Sequence, residues 1–148
     1  MIIRKAEIKD LERFVEFNYN LALETEDKEL DKNILYKGVQ TLLHDNNKGV
    51  YHVCDIDGKV VGQIMYTYEW SDWRNGLFIW VQSVYVDKEH RGQGVFKKLY
   101  THIKEMCNKD ENICGIRLYV EFDNDIAQKT YKSLGMDRCN YYMYEYEK

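Results

Sequence analysis

A run of ten residues from Leu77 to Val86 is apolar nearly throughout. It leads through Asp87-Lys88-Glu89-His90-Arg91-Gly92-Gln93-Gly94 into a stretch with apolar residues at Val95, Phe96, Leu99, Tyr100, Ile103, Met106 and Cys107. The run reads as a central strand covered on both faces, and the stretch after the turn as an amphipathic helix. A strand, a glycine-rich turn and a helix in this order commit the chain to an α/β architecture. They also gather unpaired N–H groups and the positive end of a helix dipole at one point, which favours an anion. Gly92 and Gly94 let the backbone approach phosphate oxygens without a side chain in the way, and Arg91 adds a cation that can pair with them.

The remaining elements follow from periodicity. Ile2 to Lys5 starts a strand, and Leu11, Phe14, Val15, Leu21 and Ala22 fall at helical spacing. Asp31 caps a second helix with Ile34, Leu35, Val39, Leu42 and Leu43 along one stripe. Tyr51 to Ile56 and Val60 to Trp70 form a hairpin around Asp57-Gly58. Ile116 to Val120 alternates as a strand, Ala127, Tyr131 and Leu134 mark a helix that Gly135 closes, and Tyr141 to Tyr146 reads as a last strand. The expected order is β-α-α-β-β-β-α-β-α-β, a mixed sheet of about six or seven strands flanked by helices.

The 148 residues suit a single domain, 1–148, of ordinary globular balance, with 45% hydrophobic and 31% charged residues. A net charge of −4 argues against a nucleic-acid partner. No apolar run approaches the ~20 residues of a membrane span. No signal-peptide pattern opens the chain, so a cytoplasmic location is expected. Cys54, Cys107, Cys114 and Cys139 lack CxxC spacing, and the four histidines lie on different elements, so neither a disulfide framework nor a metal site is expected.

Two common phosphate-binding motifs fit poorly. Lys97 stands where both a GxGxxG fingerprint and a P-loop need glycine. The segment Arg91-Gly92-Gln93-Gly94-Val95 instead resembles the [QR]-x-x-G-x-[GA] motif of the GNAT superfamily of acyl-CoA-dependent N-acyltransferases, with Phe96 departing at the final position. Asn124-Asp125-x-Ala127-x3-Tyr131-x2-Leu134-Gly135-Met136 is similar to a second motif of that superfamily, and the likeness spans essentially the whole chain.

The resemblance implies the GNAT fold and transfer of an acetyl group from acetyl-CoA to a primary amine of a small molecule or peptide, by direct attack on the thioester. It places the coenzyme in a V-shaped opening. The pyrophosphate would lie on Arg91, Gly92, Gln93, Gly94, Val95 and Phe96, and the pantetheine along Val84, Tyr85 and Val86. The Val84 amide would face the thioester oxygen. Tyr131 matches a tyrosine that protonates the departing thiolate, although a core tyrosine fits the same helix face. Asn124 matches a residue that bonds pantetheine and also suits a helix N-cap.

In polyamine acetyltransferases of this superfamily a glutamate general base aligns with Gln82, and an amide cannot act as a base. Glu69, beside Trp70, is the first substitute. Glu24 and Glu26, on the connection expected to overhang the acceptor, are second. The alternative for Glu69 is an exposed strand-end carboxylate, and for Glu24 and Glu26 a solvated acidic loop. The missing glutamate leaves open an alternative, a catalytically weak acyl-CoA-binding sensor or interaction domain, and the tyrosine-rich last strand leaves open a homodimer.

Overall fold

The computed structural model describes all 148 residues, which divide into two compact units, Met1–Leu118 and Tyr119–Lys148. The first unit carries β1 (Ile2–Lys5), α1 (Leu11–Glu26), α2 (Lys32–His44), β2 (Val50–Ile56), β3 (Lys59–Ser71), β4 (Gly76–Val86), α3 (Val95–Lys109) and β5 (Ile113–Arg117). Single 3-10 turns at Ile8–Asp10 and Lys88–His90 precede α1 and the glycine turn. The second unit carries α4 (Asp125–Ser133).

Local chemistry accounts for most boundaries. Asp31 accepts hydrogen bonds from the Asn33 and Ile34 amides and starts α2. Asp57 and Gly58 both take positive φ, 52° and 84°, as a two-residue hairpin turn needs. Arg4 clamps Asp10 with two nitrogens at 2.7 and 2.9 Å and reaches Asp55, tying the start of the chain to β2.

The sheet runs β1-β2-β3-β4-β5 in chain order. Neighbours are antiparallel except β4 and β5, which are parallel. On one face Val95, Leu99 and Ile103 of α3 pack against Val50, Val61, Ile64, Ile79 and Val81. On the other, Leu11, Phe14 and Phe17 of α1 and Val39 of α2 cover Tyr51, Val53, Val60 and Tyr85. Gly62 lets α3 come this close, since a Cβ there would lie 2.7 Å from Val95 Cγ1.

The sheet therefore has five strands, not six or seven. The expected last strand, Tyr141 to Tyr146, is neither helix nor strand, and its tyrosines are 76–94% exposed. Tyrosine favours strands only where cross-strand neighbours take it up, and the Tyr119–Lys148 unit contains no strand to supply them. The strand expected over Ile116 to Val120 lies earlier, at Ile113–Arg117.

Candidate active site

The pairing of β4 with β5 ends at Trp80↔Arg117, while β4 runs on to Val86. Beyond Trp80 the β5-side edge of β4 lies outside the ladder between these two strands. Here the strand also departs from regularity. Gln63 pairs with Tyr85 and Met65 with Gln82, so β3 spends one intervening residue where β4 spends two, Ser83 and Val84. This is a β-bulge, and Ser83 takes φ 46°. The other non-glycine residues with positive φ, Asp27, Asp57 and Asn75, stand at a helix end or in hairpin turns, so Ser83 alone does so inside a strand.

The glycine turn closes the same end of β4. Gly92 and Gly94 take φ 73° and 78°, and a Cβ on either would meet nothing within 4 Å. Gly94 is the N-cap of α3 and provides no side-chain cap, so the first-turn amides face outward from bare backbone. That geometry fits a diphosphate. Val95 is 1% exposed and anchors the helix in the core, while the Phe96 ring lies 6.1 Å from that of Tyr100. The Gln93 amide donates to the Glu89 carbonyl at 3.0 Å and stiffens the turn. The Tyr85 side chain points into the α1 face against Phe17, with ring centres 4.9 Å apart, which leaves only its backbone for the open edge.

Arg91 is held from three sides. Its Nε donates to the Val86 carbonyl at 3.0 Å, its Nη2 donates to Glu24 at 2.8 Å, and its guanidinium lies 5.3 Å from the Tyr85 ring centre. Glu24 also accepts from the Tyr85 hydroxyl at 2.7 Å and pairs with Lys88 at 3.3 Å. Burial alone would raise the Glu24 carboxyl. Arg91, Tyr85 and Lys88 outweigh it and hold the carboxyl below the ordinary range. Burial, then the bond to Glu24, pushes the Tyr85 phenol up to about 12. Glu24 was expected among the acceptor-side bases. It sits against the glycine turn, where Arg91, Tyr85 and Lys88 engage its carboxylate. Glu26 is the exposed last residue of α1.

Glu69, the first candidate base, is engaged as well. It pairs with Phe78 across the β3–β4 ladder, and its carboxylate is ion-paired with Arg117, whose guanidinium stacks 3.8 Å over the Phe78 ring. Gln82 lies four positions and Val84 six beyond Phe78 along β4, about 13 and 20 Å of strand. A base must come within about 3 Å of the proton, or one water away. Glu69 thus belongs to the far end of this face. Gln82 lies on the same face and donates to the Thr67 hydroxyl at 2.7 Å.

In the second unit Asn124 caps α4, accepting from the Ala127 amide at 3.0 Å. Burial pushes the Tyr131 phenol above its ordinary value. The engagement of Glu24 with Arg91 escaped sequence reading. So did a buried polar cluster around Gln63, although a lone glutamine amid Val60, Val61, Ile64 and Met65 signals it.

Residues 9–136 match the model of the Acetyltransferase (GNAT) family. An acetyltransferase from Clostridium difficile 630, described as possible, is 61% identical, with a TM-score of 0.94 over 99% of this chain and 96% of that one. An uncharacterized N-acetyltransferase of Methanocaldococcus jannaschii is 30% identical over 135 residues, 91% of this chain and 77% of its own. The thialysine N-epsilon-acetyltransferase of Bos taurus is 36% identical over 76 residues, 51% of this chain, and the match spans 44% of the cow protein. The chain belongs to the GNAT acetyltransferase family, whose members are enzymes of acetyl transfer and generally take the acetyl group from acetyl-CoA.

Proposed function

We propose that this enzyme transfers the acetyl group of acetyl-CoA to a primary amine of a small molecule or peptide. One observation carries the reading: β4 leaves its ladder with β5 beyond Trp80, bulges at Ser83 and ends at a glycine cradle with open backbone. The residues Gly92 to Phe96 hold the diphosphate at the α3 N-terminus, and the β4 edge from Val84 to Val86 bonds the pantetheine as an added strand. Acetyl-CoA supplies the activated acyl group.

The chain's own part is orientation and charge. The Val84 N–H donates to the thioester oxygen and stabilises the negative charge that develops there as the amine attacks. Tyr131 gives its proton to the departing sulfur as the C–S bond breaks, and its phenolate regains one, directly or through water, from the nitrogen of the forming amide, so that one proton passes from nitrogen to sulfur overall. A phenol is protonated at neutral pH, as a proton donor must be, and burial raises the Tyr131 pKa further. Asn124 places α4 through its cap. Gln82 and Glu69 line the acceptor face, where Gln82 orients the amine and Glu69, with Arg117, meets the distal part of a longer acceptor. Glu26, near the end of α1, overhangs that face only through the connection to α2. Glu24, Glu26 and Glu69 do not take the amine's proton in this reading, so the amine enters as its free base.

The test is thiol release from acetyl-CoA across a panel of primary amines, amino acids and peptides. With a productive amine, kcat/KM at low amine concentration rises about tenfold per unit between about pH 7 and 9, following the free-base fraction. Tyr131→Phe lowers kcat with the KM for acetyl-CoA unchanged. Coenzyme binding without thiol release from any amine would turn the assignment to the alternative, a binding domain without catalysis. A plateau well below the amine's own pKa would restore a protein base.

A further inference from the structure

Few polar side chains are fully buried in the Met1–Leu118 unit, and one of them holds the backbone of β4 at the bulge. Gln63 of β3 is 0% exposed. Its Nε2 donates to Asn18 Oδ1 at 2.6 Å and to the Ser83 carbonyl at 3.0 Å. Asn18, on α1, donates from Nδ2 to the Tyr51 hydroxyl of β2 at 2.8 Å. Elements α1 and β2 thus brace the β3 side chain that holds Ser83 of β4. With two acceptors facing one end of the Gln63 side chain, only the NH2 group can stand there.

The arrangement is a poor way to gain stability. Gln63 Oε1 is buried without a partner, and a buried polar atom left unpaired is unfavourable. An apolar residue in this apolar stretch of β3 would pack without that penalty. The directional consequence is what distinguishes the glutamine. The Ser83 carbonyl and the Val84 N–H are the two ends of one trans peptide group and point in opposite directions. Gln63 draws the carbonyl toward β3. The Val84 N–H is thereby aimed away from β3, at the edge of β4 that β5 has left.

We infer that Gln63 is a positioning residue for acetyl transfer. By holding the Ser83 carbonyl it fixes the Val84 amide in the direction of the thioester oxygen, and Asn18 and Tyr51 lock the Gln63 amide in the donating orientation. The inference rests on the reading of Val84 as the donor to that oxygen. Gln63 touches no substrate, so it acts on the charge that develops in the transition state and not on coenzyme affinity.

Gln63→Met keeps the length of the side chain and removes the donor. In the full chain its kcat falls about tenfold, less than the about 10²–10³ that outright loss of one oxyanion donor costs, because the Val84 N–H is misaimed and not removed. The KM for acetyl-CoA stays within about twofold because diphosphate and pantetheine contacts are untouched. Gln63→Glu has the same shape but can donate only when protonated, so its kcat relative to wild type rises as pH is lowered. A packing defect alone does not produce that trend. Tyr51, the titratable side chain this network brings to Gln63, stays protonated throughout because burial raises its phenol.

A folded Gln63→Met variant with kcat within about twofold of wild type, or with its whole effect in KM, overturns the inference. If that variant does not fold, a pH-independent Gln63→Glu to wild-type ratio does so. A wild-type protein inactive toward every amine would instead sink the transfer reading, and the role of Gln63 with it.

Discussion

At the residue scale, Glu24 and Arg91 determine the charge that the glycine turn presents. Arg91 carries the charge a phosphate needs, but its Nη2 and the Lys88 ammonium both face the Glu24 carboxylate. A diphosphate entering the turn has to share or displace that carboxylate. Such a pair, partly open to solvent, is worth little to stability, about 0.2–1 kcal/mol. Its larger effect is on the field felt by an incoming anion. Glu24→Gln removes a negative charge beside two cations while keeping an acceptor for the Tyr85 hydroxyl. The KM for acetyl-CoA is expected to fall about threefold, the factor that ~0.7 kcal/mol supplies, and to depend more steeply on salt. The kcat with a productive amine is expected to stay near wild type, because Glu24 is engaged at the glycine turn by Arg91, Tyr85 and Lys88. A large loss of kcat would return Glu24 to the chemistry, and a higher KM would show that orienting Arg91 outweighs neutralising it.

At the element scale, the site depends on how closely α3 lies on the sheet. The glycine turn sits at its N-terminus, so whatever shifts the helix shifts the cradle. Gly62 permits the approach, because a Cβ there would stand 2.7 Å from Val95 Cγ1 and 3.3 Å from the Tyr85 carbonyl. Gly62→Ala is therefore expected to destabilise the protein by about 1–3 kcal/mol, as overpacking does, and to raise the KM for acetyl-CoA as the turn moves. The double variant Gly62→Ala with Val95→Ala makes room for the new methyl group and should recover part of both losses. Urea midpoints and KM values check it, and simple additivity of the two changes would refute the contact.

Much of this scale is legible in the sequence, because local chemistry sets it. The Asp57-Gly58 hairpin, the Asp31 cap and the glycine-capped α3 each rest on residues a few positions apart. The bulge is not legible, since Val-Gln-Ser-Val-Tyr-Val reads as an uninterrupted strand and only the pairing of Gln63 and Met65 exposes the extra residue. For the same reason Glu69 looks close to the chemistry in sequence but lies at the far end of β4 by register. The tyrosines of the tail mislead because strand propensity counts only where a neighbouring strand exists.

At the scale of the whole molecule, the pH dependence of stability joins the separate clusters of the Met1–Leu118 unit. His52 of β2 is 5% exposed, lies beneath α3 with its ring centre 4.9 Å from that of His102, and has an unpartnered Nδ1. Burial, then the charges of His102 and Lys5, lowers its pKa from 6.5 to about 4. An unfolded chain takes up this proton near pH 6.5 while the folded protein refuses it until about pH 4, so acid favours the unfolded state across that interval. The shift corresponds to about 3 kcal/mol lost between those limits. Asp10 acts at lower pH. Burial would raise it, but Arg4 and the Glu7 amide hold it below the ordinary carboxylate range. Its stabilisation is present above that range and lost as pH falls through the folded value, as are the contributions of Glu24 and Asp87. Two successive losses are therefore expected on acidification, one from the histidine and then one from the carboxylates. His52→Gln, neutral throughout, should flatten the first and leave the second. Thermal unfolding of both proteins at intervals from about pH 7.5 down to 3.5 separates them. An unchanged slope between about pH 6.5 and 4 in His52→Gln would show that His52 is not what makes the fold acid-sensitive.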